Sequence, residues 1–307
     1  MSPEPQPFCS IVVPTCNRPA LLRECLESLA CLDYPRDRFE VIVVDDGSRA
    51  PLDALAEPFR DRLDLTLLSQ PNSGPAAARN AGAERARGDL IVFTDDDCRC
   101  RPDWLVQLAG RFRAGPRHAY GGRNVTSFPD NAYRTAADLV RLVRVRRESG
   151  QEGARFLTTD NLAVPAAEFR ELGGFDPAFR RAEDREFCSR WRSRGLSLYF
   201  EPEALGEHTF CPTLAGLCRR YFRYGRGALR FHRSEAKRGQ RVQLEGSFYL
   251  DLVREAFAHE RGVRAVRLVS LVVVTQAAYA VGFLAESATA ALRTPLSHAG
   301  RARRKDR

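Results

Sequence analysis

Three aspartates stand in a row at Asp95-Asp96-Asp97, directly after the apolar run Leu90-Ile-Val-Phe-Thr94. Carboxylates packed together repel, and burying them without partners is costly. A hard divalent cation relieves both problems, and oxygen donors suit Mg2+ or Mn2+. In an extended chain Asp95 and Asp97 share one side and Asp96 points away. The spacing predicts a cation held by Asp95 and Asp97 and completed by substrate phosphates, the usual arrangement for Mg2+. The same residues could instead form an acidic loop that caps the next helix, so the motif must be weighed with its surroundings.

The elements that would position those aspartates are legible in the first hundred residues. Apolar runs at Cys9–Pro14, Phe39–Val44, Asp64–Leu68 and Asp89–Thr94 predict strands. Between them, helical spacing follows Pro19 (Leu21, Leu22, Cys25, Leu26, Leu29) and Pro75 (Ala76, Ala77, Ala78, Ala81, Ala83). Strands alternating with helices imply right-handed βαβ units and an α/β fold with a mostly parallel sheet flanked by helices. Such sheets bind ligands at the carboxyl ends of their strands. Thr15, Asp45–Ser48 and Asp95–Asp97 all fall at those ends.

The remainder is less regular. Helices are expected from Pro102, over the basic stretch Ala136–Arg147 and over Ala182–Arg194, with extended chain at 156–164 and a strand at Leu196–Phe200. After His208 the chain reads as a mainly helical extension. Leu268 to Ala285 carries no charge, the lower edge of a membrane-spanning length. Its Ser270, Thr275, Gln276 and Tyr279, with arginines on both flanks, favour an interfacial helix or one packed on the domain.

Composition bounds the partners. The 307 residues carry a net charge of +9, almost all of it from arginine, since the lysines are Lys237 and Lys305. That fits a nucleoside diphosphate or a phospholipid surface. No basic motif interleaved with aromatics points to nucleic acid. Nine cysteines, an odd number scattered through a long chain, predict a reducing cytoplasmic compartment. Cys98 and Cys100 lack a second pair at zinc spacing and read as small packed side chains. The N-terminus shows no secretory signal.

Taken in order, Ile11-Val-Val-Pro-Thr15, Val41-Ile-Val-Val-Asp-Asp-Gly-Ser48, Gly74-Pro-Ala-Ala-Ala-Arg-Asn-Ala-Gly82 and Asp95-Asp-Asp97 strongly resemble the family-2 glycosyltransferases. Asn161-Leu-Ala, Gly173-Gly-Phe-Asp176, Glu183-Asp184 and His208 continue the pattern over roughly residues 8 to 230. The resemblance implies a GT-A fold, a nucleotide-sugar donor and transfer to a hydroxyl with inversion. It implies a GT-A domain over 8–230, divided into a nucleotide half at 8–105 and an acceptor half at 106–230. A helical extension at 231–292 and a basic tail at 293–307 would follow. Pro14, Thr15, Asp45 or Asp46, and Asp95 and Asp96 would meet the donor. Arg79 and Asn80 would either contact nucleotide or position their helix.

The resemblance also makes Asp184 the catalytic base, supported by Glu183. Asp95, Asp97 and His208 would hold Mn2+ or Mg2+, and Asn161 and Arg226 would face sugar or acceptor. A UDP-sugar is the expected donor. The basic and apolar helices suggest a lipid-linked or cell-envelope glycan acceptor, handled at the inner face of the cell membrane. Three rivals stand against this reading. A nucleotidyltransferase or a dinucleotide enzyme needs a glycine-rich loop that Pro14-Thr-Cys-Asn17 does not supply. An inactive sugar-nucleotide-binding scaffold would have lost the carboxylates that are present here.

Overall fold

The computed structural model describes residues 6–126, 131–150, 153–209, 213–239 and 246–293. The expected basic tail lies, from residue 294 on, outside the described residues, as do the first five residues of the Pro-rich lead-in.

The first half builds as its apolar runs dictate. Strands β1 (Cys9–Thr15), β2 (Phe39–Asp46), β3 (Leu65–Gln70) and β4 (Leu90–Thr94) lie parallel in the order β3-β2-β1-β4. Helices α1 (Pro19–Leu29), the short α2 (Asp53–Ala56) and α3 (Pro75–Arg85) connect them. Every residue of β1 and β2 is buried, as befits strands covered on both faces. Alternate side chains feed two cores. Ile11, Val13, Val41 and Val43 pack under α1 and α4 (Trp104–Ala114). Val12, Ile42, Ile91 and Phe93 pack under α3, α6 (Ala166–Leu172) and α7 (Glu183–Ser193). Helix α3 approaches closely because it is built of alanine, and a Cβ on Gly82 would collide with Val12.

The second half extends the same sheet. Strand β9 (Asn161–Pro165) pairs antiparallel to β4, and β6 (Ala119–Thr126) pairs antiparallel to β9. The long strand β10 (Leu198–His208) runs parallel to β6, and β5 (Cys98–Cys100) closes the edge antiparallel to β10. The eight-stranded order is β3-β2-β1-β4-β9-β6-β10-β5. It is a mixed, mainly parallel sheet with flanking helices. The strand expected to stop at Phe200 continues to His208, through a register shift between Glu201 and Leu205. That continuation carries His208 alongside Cys98, its partner across the β10–β5 pair.

A third, all-helical core sits beside the sheet. Helix α5 (Ala132–Glu148) runs into a two-residue ladder, β7 (Ser149–Gly150) with β8 (Gly153–Ala154). Leu139 and Val143 of α5 meet Leu217 and Tyr221 of α8 (Leu214–Lys237). Leu252 of α9 (Gly246–His259) and Leu268 and Val272 of α10 (Gly262–Arg293) join them. On α10 the buried residues Ala265, Leu268, Val272 and Thr275 recur every three or four positions, one helical stripe.

Candidate active site

The carboxyl ends of β1, β2 and β4 converge as the sequence predicts, and the loop from β4 to β5 carries the three aspartates. Asp96 faces inward and is fully buried. Its Oδ2 accepts from Thr15 Oγ1 at 2.7 Å, and its Oδ1 pairs with Arg18 Nη2 at 2.6 Å. Burial nevertheless pushes the Asp96 carboxyl up to about 7, outweighing the pull of Arg18 and Thr15. Thr15 and Asp96, both expected at the nucleotide, therefore engage each other and tie the end of β1 to the acidic loop. Pro14 is buried in β1.

Asp97 and His208 come together. His208 Nδ1 lies 3.7 Å from Asp97 Oδ1, and Nε2 lies 2.9 Å from Asp160 Oδ2. In the neutral ring, a hydrogen on Nε2 would be donated to Asp160 and leave Nδ1 bare towards Asp97. A carboxylate behind an imidazole in this way is the usual support of a metal-binding histidine. Asp160 is itself held by Arg141 Nη1 at 3.2 Å and by the Thr158 hydroxyl. Burial works against charge on His208, but Asp160 and Asp97 prevail and raise its pKa. Burial likewise opposes ionisation of Asp97, yet His208 and Arg18 hold it down at about 2. The donor set fits a divalent cation on Asp97 and His208. Asp95, expected as a third ligand, turns elsewhere: its Oδ1 pairs with Arg79 Nη2 at 2.6 Å.

Arg79 is the hinge between the two acidic motifs. Its other arm, Nη1, reaches Glu183 Oε1 at 2.9 Å. One buried guanidinium thus joins the β4 loop to the first turn of α7. Asp184, next to Glu183, is half-buried and accepts from the Arg185 backbone N–H at 2.8 Å. Burial, then the Glu183 charge, pushes its carboxyl up to about 7. The residue before α7, Ala182, has φ +65°, an unfavourable conformation for a side chain with a Cβ. Helix α8 packs on this corner, where a Cβ on Gly227 would clash with Arg181. Asn80 clamps the Gly173–Asp176 turn, exchanging hydrogen bonds of 2.7 and 2.9 Å with the Phe175 backbone. Gly174 in that turn has φ +67° and no room for a Cβ beside Asn80.

The two aspartates left open at the end of β2 differ. Asp46 spends both oxygens on the end of β3 and the loop before α3: Gln70 Nε2 at 2.8 Å, Ser73 N at 2.7 Å and Gly74 N at 2.8 Å. Asp45 accepts from the Ser48 N–H through Oδ1 at 2.9 Å. Two residues expected at sugar or acceptor have other occupations. Asn161 is 1% exposed and bonds Trp104 Nε1, Asn124 Oδ1 and the Ala204 carbonyl, joining β9 to α4, β6 and β10. Arg226 pairs with Glu286 of α10 at 2.7 Å. The α8 arginine that bears on the site is Arg220, whose charge helps hold Asp97 ionised. Arg18, Arg141 and Asp160 were not singled out for the site by the sequence. Asp160 stood next to a residue that was, and Arg141 sat in a helix read as a basic surface.

Comparison with known proteins identifies the family and the fold. Residues 10–171 match the model for Glycosyl transferase family 2. The chain is 27% identical over 227 residues to glycosyltransferase AglE of Haloferax volcanii, covering 73% of each chain. It is 32% identical over 208 residues to the pre-mycofactocin glycosyltransferase of Mycobacterium tuberculosis, covering 65% of this chain and 42% of that one. The validoxylamine A glucosyltransferase of Streptomyces hygroscopicus subsp. jinggangensis is 32% identical over 232 residues, with 65% and 55% covered. Of these last two relatives the chain spans only about half.

Among solved structures, a Pyrobaculum calidifontis mannosyltransferase in complex with GDP-Man and Mn2+ superposes with a TM-score of 0.64. It is 23% identical, over 95% of this chain and 83% of that one. Staphylococcus aureus TarS 1-349 in complex with UDP-GlcNAc superposes with a TM-score of 0.53 at 16% identity, over 92% of this chain and 91% of that one. Both likenesses concern the fold, which is the GT-A type. The chain belongs to glycosyltransferase family 2 and is a glycosyltransferase.

Proposed function

We propose that the protein moves a sugar from a nucleoside-diphosphate donor to an acceptor hydroxyl in one in-line, inverting displacement assisted by a divalent cation. The observation that carries this reading is the Arg79 bridge. It fastens the acidic loop, with Asp97 and His208, to the helix turn that bears Asp184. A carboxyl with a pKa near 7 is suited to general-base work at neutral pH. Asp184 takes the proton of the acceptor hydroxyl as that oxygen attacks the anomeric carbon. Asp97 and His208 would hold Mn2+ or Mg2+. When bound, the cation supplies charge neutralisation to the departing diphosphate. Arg220 adds fixed positive charge on the same side. At the end of β2, Asp45 keeps one carboxylate oxygen for the nucleobase, whereas Asp46 is committed to the loop. Asp95 is left for the ribose.

The donor is a UDP- or GDP-sugar, the two kinds present in the structural relatives. The acceptor is a lipid-linked or cell-envelope glycan, met at a membrane surface by α9 and α10. Leu250, Phe257, Val263, Val266 and Leu284 are more than half exposed there, with Arg254, Arg261, Arg264 and Arg267 exposed beside them. Apolar anchors with basic neighbours suit an anionic interface. The limit expected at residue 230 falls inside α8 (Leu214–Lys237), so the division of labour between transfer and docking is placed after that helix, with α9 and α10 as the docking part.

The test is a panel of nucleotide sugars with Mn2+ or Mg2+, scored for release of nucleoside diphosphate. Metal-dependent release from one donor, lost in Asp97→Ala and Asp184→Asn, is the expected result. Folded protein that neither binds nor cleaves any donor would overturn the reading in favour of a scaffold.

A further inference from the structure

Cys98 lies where neither its sequence context nor the proposed transfer requires a sulfur. It follows Asp97 directly, is 1% exposed and sits in the short strand β5 opposite His208. Its Sγ is 3.5 Å from His208 Nδ1 and 4.0 Å from Asp97 Oδ1, while those two atoms are 3.7 Å apart. Oxygen, nitrogen and sulfur thus form a triangle with edges between 3.5 and 4.0 Å. A tetrahedral ion bound at about 2.0 Å to oxygen and nitrogen and about 2.3 Å to sulfur sets edges of about 3.3 to 3.6 Å. The triangle needs to contract by about half an ångström at most to meet that geometry. The histidine is already oriented for it, since Asp160 holds Nε2 from behind at 2.9 Å.

We propose that Asp97, Cys98 and His208 form a three-ligand site for a thiophilic divalent cation of the Zn2+ or Co2+ class, with the Cys98 thiolate as a direct ligand. The proposal rests on the reading that Asp97 and His208 hold the catalytic cation, and it adds the third donor and the metal preference. A thiolate biases a site away from Mg2+, which demands six oxygen-type ligands, and towards borderline-soft ions. Binding forms a metal–sulfur bond and releases the thiol proton to solvent. Zn2+ is then expected to displace Mn2+ from the protein, which makes the site sensitive to the metal supplied.

Metal-free full-length protein is titrated with Co2+ and followed by absorption. A thiolate-to-cobalt charge-transfer band in the near ultraviolet is expected. Cys98→Ala should abolish the band and weaken Zn2+ binding, read by competition, at least tenfold. Cys98→Ser, closer in size, should lose the band too, which separates ligation from packing. In parallel, Mn2+ binding is read by the paramagnetic resonance of the free ion. Co2+ bound without the band, or a band that survives in Cys98→Ala, overturns the thiolate ligand and leaves the Asp97–His208 site standing. Wild-type protein that binds neither Co2+ nor Mn2+ overturns the thiolate and the underlying metal reading together.

Discussion

At the scale of single residues, Asp184 is asked to stay half-buried beside another carboxylate and yet to ionise at working pH. Its carboxyl ionises near 3.8 when unperturbed but near 7 in the fold. The folded chain therefore holds that proton more tightly than the unfolded chain, and ionisation costs stability as pH rises from about 4 to about 7. Activity has the opposite slope, because only the ionised base accepts a proton. The rate should climb with pH up to about 7 and then level off, measured as kcat over a pH series. Asp184→Asn should lower kcat by about 10²- to 10⁴-fold with donor affinity retained. The same variant should melt higher than wild type at pH 8, with no advantage below pH 4; an unchanged Tm at pH 8 would show that the burial is relieved in solution. Arg79 poses the converse problem. Arg79→Met leaves Glu183 and Asp95 without their cation, a loss of about 3–5 kcal/mol for a broken buried pair, read by denaturant unfolding. Donor turnover should fall with it, because the acidic loop and α7 lose their common anchor.

At the scale of elements, the close approach of helices decides where the base is held. Helices α8 and α10 cross where Gly225 meets the Tyr279 backbone and Gly282 meets the Phe222 backbone, with no space for a Cβ at either point. Gly282→Val should force the helices apart and cost about 1–3 kcal/mol as overpacking, seen as a lower Tm. Because α8 also packs on Arg181, beside the base, kcat should drop more than donor affinity. Burial patterns explain which elements the sequence discloses. Strands β1, β2 and β4 are covered on both faces, so they appear as unbroken apolar runs. Strand β6 does not, because Gly121 lies under Leu157 and Gly122 under Asn161 and the Ala204 carbonyl. Close backbone approach selects glycine there and erases the pattern. The far end of β10 reads as broken at Glu201-Pro-Glu203, where the register shifts. The acidic loop and the Glu183-Asp184 turn were legible as motifs. The Asp160–His208 and Arg79–Glu183 contacts were not, since they join segments far apart in sequence whose pairing only the sheet order sets.

At the scale of the whole molecule, the charge and the apolar surface lie together on the helical side. Helix α10 is long and apolar enough to cross a bilayer by length and composition. One stripe of it, however, is buried against the protein: Ala265, Leu268, Val272 and Thr275 pack in the helical core, and Glu286 binds Arg226 and Arg230. Crossing the bilayer would strip those ion pairs into hydrocarbon, at a cost of several kcal/mol per ion. Lying on the interface keeps them and uses only the exposed face, where Leu250, Val263 and Leu284 are at least 60% exposed. Each basic residue near an anionic surface adds about 1 kcal/mol, and that part is screened by salt within a Debye length. The full-length protein should therefore co-sediment with vesicles containing anionic lipid, bind neutral vesicles weakly, and be released as salt is raised. Leu250→Asp combined with Leu284→Asp should abolish vesicle binding without lowering diphosphate release from the donor when a soluble acceptor is supplied. Protein that ignores anionic vesicles at low salt would refute docking through this face. Protein that stays bound at high salt and resists carbonate extraction would instead show α10 inserted, and the Glu286 pairs would then have to be broken.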